Sequence, residues 1–133
     1  MNAVVAAARA ALGARFRLHG RAVEEGLDCV GLAAHAYAAA GYAGAVPSGY
    51  ALRGGNPAKI AAQLAEAGLV PAAAPILPGD LLLFAAGPGQ LHLAIASDTG
   101  IIHADAALRR VVERPGAPPW PRIGAWRLPN QQE

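Results

Sequence analysis

Cys29, the only cysteine, stands in Gly26-Leu27-Asp28-Cys29-Val30-Gly31, directly before a run of helix formers and apolar residues from Leu32 to Ala40. Asp28 is a residue type favoured at helix N-caps, so the spacing predicts the sulfur in the first turn of a helix. The unpaired amides and dipole there favour a thiolate over a thiol. The same amides can receive an oxyanion once sulfur has attacked a carbonyl. A sulfur nucleophile needs a base, and His92 and His103 fall in strand-like segments. A lone cysteine also serves as a small buried hydrophobe. Asp28 before it and the flanking glycines favour the chemical role, with Gly31 leaving room for a substrate or a neighbouring strand.

In Leu91-His92-Leu93-Ala94-Ile95, strand alternation puts His92, Ala94 and Ala96 on one face and turns Leu91, Leu93 and Ile95 toward a core. A polar ring above two alanines suits a site; a solvent-facing histidine is the other reading. A two-residue turn at Thr99-Gly100 leaves the histidines ~13 Å apart along the strands, at about 3.3 Å per residue. A turn centred on Ser97-Asp98 sets them opposite each other, and a bulge or strong twist also closes the gap. His35 lies roughly 240° around the helix from Cys29, at about 100° per residue, and cannot share its face. His19 is a weaker candidate. A zinc site from Cys29, His92, His103 and Asp105 lacks a close ligand pair, so no metal and no cofactor is expected.

The elements that must position these residues follow from the pattern. Val4, Val5, Ala8 and Leu12 recur at helical spacing, which predicts a helix over 2–12 ended by Gly13. Residues 15–25 lack a clean period and read as a loop approaching the cysteine. The cysteine helix runs to Ala40, with Gly41 beyond it. The glycine-rich residues 41–55 form a long loop of a kind that is often functional. Asn56-Pro57 starts another helix, closed by Gly68. Residues 71–78 read as a linker, followed by strands at 81–84, 91–97, 101–104 and 107–113. A proline-rich connection over 115–121 leads to an edge strand at 123–128. Helices first and antiparallel strands after make the class α+β.

Composition narrows the function. The 133 residues fit a single domain spanning 1–133, and 54% hydrophobic with 15% charged residues suits a chain that buries a core. A net charge of +2 with dispersed arginines gives no support to nucleic-acid binding. The proline-interrupted region 69–86 does not span a membrane. The Ala-rich start lacks a basic residue before its apolar run and Arg9 interrupts it, so a first helix is expected rather than a signal peptide. No localisation is legible.

Four motifs then occur in order: Asp28-Cys29-Val30-Gly31-Leu32; Pro78-Gly79-Asp80-Leu81 with Phe84; His92-Leu93-Ala94-Ile95; and Gly100-Ile101-Ile102-His103-Ala104. Together they resemble the NlpC-type family of bacterial cell-wall cysteine endopeptidases over roughly residues 13–128. The resemblance implies a papain-like α+β fold, with the nucleophile helix packed on a C-terminal antiparallel sheet. It implies Cys29 as nucleophile, His92 as base and His103 as the residue orienting His92. It further implies hydrolysis of peptidoglycan stem peptides, commonly between D-γ-glutamyl and diaminopimelate or lysine.

A single domain of this kind is similar to versions that act from phage tails or gene-transfer agents, with phage-tail-like proteins as partners and a phage-tail-like particle as the means of delivery. In the family a tyrosine and two serines help hold the stem peptide. Here Phe16, Val30 and Leu91 stand at those places, while Asp28 remains to pair with an amine. The apolar replacements keep a second reading in view, the same machinery acting as an amidase or acyltransferase on a more apolar substrate. A third reading is a non-catalytic phage-tail assembly module that retains the fold.

Overall fold

The computed structural model describes residues 2–42 and 56–129, so most of the 41–55 loop lies outside the described residues. Helix α1 (Ala3–Ala10) is capped by the Asn2 side chain, which accepts from the Val5 amide, and it buries Val4, Val5 and Ala8. Helix α2 (Cys29–Ala39) is apolar nearly all round, as befits a helix enclosed between α1 and a sheet. Helix α3 (Pro57–Glu66) starts at the Asn56 cap and buries Ile60 and Leu64.

Two short strands, β1 (Arg21–Ala22) within the residues read from sequence as loop and β2 (Gly26–Leu27) just after them, pair as a small hairpin. Each is too short for a period to show. The main sheet is antiparallel, with order β3-β8-β4-β5-β6-β7. Its members are β3 (Val70–Pro71), β4 (Leu81–Gly87), β5 (Gln90–Ala96), β6 (Gly100–Asp105), β7 (Arg110–Pro115) and β8 (Arg122–Arg127).

Two strand expectations are corrected. The last strand is interior, because β3 forms where the presumed linker begins and pairs along its free side. The strand placed at 107–113 begins instead at Arg110. Asp105 Oδ1 accepts from the Ala107 and Leu108 amides at 2.9 and 3.0 Å, which turns the chain before pairing resumes.

The Pro78-Gly79-Asp80 turn ties the layers together. The Gly79 carbonyl accepts from the Tyr37 hydroxyl of α2 at 3.1 Å, and the Pro78 carbonyl accepts from Asn2 at 2.9 Å. Asp80, 1% exposed, accepts two bonds of 2.8 Å from the Arg127 guanidinium on β8. The first core joins α1, α2 and α3 to one sheet face through Leu81, Leu83, Leu93, Ile95 and Ile102. A smaller cluster of Leu82, Phe84, Ala94, Ala96 and Ile101 lies on the other face, against Ile76, Trp120 and Ala125.

Candidate active site

Cys29 opens α2, and the peptide before it is held on three sides. Asp28 Oδ1 accepts from the Gly31 amide and from Arg21 Nη1, each at 2.8 Å, while Oδ2 accepts from the His19 amide at 2.8 Å. The small hairpin seats directly on the helix start. A Cβ at Gly31 would lie 2.0 Å from the Gly20 carbonyl oxygen, so glycine is required there for the two backbones to meet. The room anticipated beside Gly31 is therefore filled by the chain's own main chain.

The sheet divides at the level of the cysteine. β5 pairs with β6 only at Ile95↔Ile102 and Ala96↔Ile101, whereas β6 pairs with β7 over six positions. Ala96 exchanges bonds with the β4 side, donating to the Asp80 carbonyl and accepting from the Gly79 amide. Amides alternate in direction along an antiparallel strand, so Leu93 points to the β6 side, past the end of that ladder. The Leu93 amide there faces the Cys29 sulfur. The head of α2 thus reaches strand β5 where β6 has diverged.

His92 and His103 lie on the face turned away from the helices. His92 Nε2 and His103 Nδ1 are 2.8 Å apart, with ring centroids 5.0 Å apart and planes at 82°. Neither sequence register holds. The observed pairing, carried along the strands, sets His103 beside Ala94 and His92 beside Asp105, so the rings meet on the diagonal. Trp120 covers both, its ring centroid 5.2 Å from that of His92 and 5.6 Å from that of His103, and it leans on Phe84 at 5.7 Å. His103 Nε2 is buried without a hydrogen bond and lies 3.9 Å from Asp105 Oδ2.

Burial sets the charge states. The Cys29 thiol, 6% exposed, is pushed up to about 12, chiefly by loss of water, although the Leu93, Val30 and Cys29 amides pull the other way. The expectation of a thiolate at the helix start is overturned: desolvation outweighs the helix amides. His92 is pushed down to about 4 by burial and by His103, against an opposing pull from Asp105. His103 is lowered by burial, opposed by Asp105 and assisted by Arg114. At neutral pH the resting groups are a thiol and two neutral imidazoles, which suits proton transfer to a base during attack rather than a standing ion pair.

Of the remaining sequence candidates, Val30 and Leu91 are core side chains, 3% and 9% exposed. Phe16 is partly buried and bridges to Leu27, two residues before the sulfur. Asp105, weighed from sequence only as a zinc ligand, instead faces His103, and Trp120 is a part of the site that sequence reasoning missed. The tryptophan's signal was a large aromatic inside a proline-rich connection. Among the described residues, no group of three or more His, Cys, Asp or Glu side chains converges as a metal site. No described helix is long and apolar enough to cross a membrane.

No family model matches the chain, and no curated protein does. Solved structures do. The chain is similar to the NlpC/p60 domain of the peptidoglycan hydrolase SagA, with a TM-score of 0.65 and 21% identity, over 95% of this chain and 97% of that one. It is similar to the peptidoglycan hydrolase RipB of Mycobacterium tuberculosis, with a TM-score of 0.61 and 23% identity, over 95% of this chain and 63% of that one. The chain spans less than two thirds of the RipB structure. It has the papain-like α+β fold of these domains.

Proposed function

We propose that this domain is a cysteine peptidase of the cell-wall hydrolase type, cleaving an amide bond in peptidoglycan stem peptides. The observation that carries the reading is the 2.8 Å contact of His92 Nε2 with His103, made on the strand whose next amide faces the Cys29 sulfur. With Nε2 engaged, the free nitrogen of His92 is Nδ1, the one nearer the main chain that leads to Leu93. Both similar structures belong to peptidoglycan hydrolases, which supports the substrate class.

In the reaction, sulfur adds to the amide carbonyl as Nδ1 of His92 takes the thiol proton. The oxyanion is received by amides at the head of α2. Collapse of the tetrahedral adduct breaks the C–N bond, and the imidazolium returns its proton to the leaving amine. Water then attacks the thioester with His92 again as base, and the thiol is restored. His103 holds the His92 ring.

Asp28 is left out of substrate binding because its carboxylate already accepts three protein donors. Burial of Val30 and Leu91 removes the observation that favoured an apolar substrate. Phe16, beside the helix start, is assigned to the substrate side.

The test is release of soluble fragments from purified peptidoglycan. Wild type releases new amino termini and Cys29→Ala does not; equal release by both removes Cys29 from the mechanism. A non-catalytic domain is the second reading, favoured by the burial of the thiol. It predicts no release by wild type and no effect of His92→Ala on alkylation of Cys29 by iodoacetamide.

A further inference from the structure

We infer that Asp105 is a positioning residue that fixes the proton arrangement of the two imidazoles, and through it the basic nitrogen presented toward Cys29. The inference rests on His92 as base but concerns a residue outside the nucleophile and its two histidines. Two tautomer chains are compatible with a 2.8 Å contact between His92 Nε2 and His103 Nδ1. In one, His92 donates from Nε2 and keeps a lone pair on Nδ1. In the other, His103 donates from Nδ1, and the proton of neutral His92 sits on Nδ1. Only the first leaves a base for the thiol.

The choice is made at the far end, at His103 Nε2. That atom is buried and unpartnered, and the nearest charge is Asp105 Oδ2 at 3.9 Å. A carboxylate is an acceptor only, and at this distance it favours a proton on the facing nitrogen without a direct hydrogen bond. With Nε2 of His103 protonated, its Nδ1 is the acceptor, and His92 must donate from Nε2. Asp105 is itself immobilised, since its other oxygen takes the Ala107 and Leu108 amides at 2.9 and 3.0 Å. It can therefore act on His103 as a fixed charge. Trp120 packs beside both rings, and Arg114 is the cation felt at His103.

Asp105→Asn separates this role from the turn. Its carbonyl oxygen can keep both backbone amides, while its NH2 replaces the acceptor facing His103 with a donor. In wild type at pH 7, nitrogen-15 NMR of the imidazoles is expected to show both rings protonated on Nε2. In Asp105→Asn the His103 proton is expected on Nδ1, and alkylation of Cys29 by iodoacetamide slows roughly 10- to 100-fold with unchanged thermal unfolding. A wild-type His103 protonated on Nδ1 overturns the inference. So does an Asp105→Asn protein with unaltered tautomers, whatever its alkylation rate. These readouts need no peptidoglycan, so loss of the proposed substrate would leave them standing.

Discussion

The imidazoles of His92 and His103 meet at 2.8 Å although their residues are not cross-strand partners. The contact is possible because β5 and β6 part after two paired positions, leaving room for rings to reach across the diagonal. The same parting turns the Leu93 amide toward the Cys29 sulfur. One break in the ladder therefore serves both the proposed nucleophile and its proposed base.

Removing the two rings is expected to have unequal effects. His92→Ala takes away the proposed base and is expected to lower hydrolysis by about 10²–10⁴-fold. His103→Ala leaves the base in place but free to turn, and has a smaller effect. His103→Asn, which can restore an acceptor for His92 Nε2, recovers part of that loss. Steady-state rates on a stem peptide measure all three, and equal losses would contradict the assignment of roles.

The charge states predict a stability profile with two flanks. His92 falls from an ordinary 6.5 to about 4 on folding, so between those values the unfolded chain binds more protons than the folded one. Stability is full above about 6.5 and declines as pH drops toward 4, at up to about 1.4 kcal/mol per pH unit, with His103 acting in the same direction. Cys29 gives the opposite flank. Its thiol rises from 9 to about 12, so stability declines as pH climbs from 9 toward 12. Urea unfolding at a series of pH values measures both flanks, and Cys29→Ala should flatten the alkaline one.

Trp120 is expected to set the acid limb. Its ring centroid is 5.2 Å from that of His92, and burial is the first cause of the lowered pKa there. Trp120→Ala admits water and raises the His92 pKa from about 4 toward 6.5. Titration of the His92 ring by NMR reads the shift, and an unmoved value would show that other groups exclude the water.

Gly31→Ala tests the seating of the hairpin on α2. A Cβ 2.0 Å from the Gly20 oxygen cannot be accommodated without moving one backbone. The expected cost is about 1–3 kcal/mol or more, read as a lower urea midpoint. Faster alkylation of Cys29 should accompany it as the helix start loosens.

Much of this arrangement was legible in the residues. Asp28 marked the helix start, Asn56-Pro57 marked another, and alternation around His92 separated the two faces of β5 correctly. The start of the strand after His103 was not legible, because Asp105 captures the Ala107 and Leu108 amides and delays pairing until Arg110. β3 was hidden for another reason: a two-residue pairing has no period. The charge of Cys29 was not legible because helix position can be read from sequence, whereas its near-complete loss of solvent depends on a core that also draws Leu93 and Ala104 from later strands.

Because β8 lies between β3 and β4, the flank of β4 has no neighbour until the last stretch of the domain has been synthesised. A nascent chain leaving the ribosome carries Cys29 and both histidines well before Arg127 emerges to meet Asp80. Until then β4 presents an open ladder of amides and carbonyls, the kind of edge that recruits other chains. A chain that stops before residue 122 would therefore keep that flank of β4 open and prone to pairing with other chains.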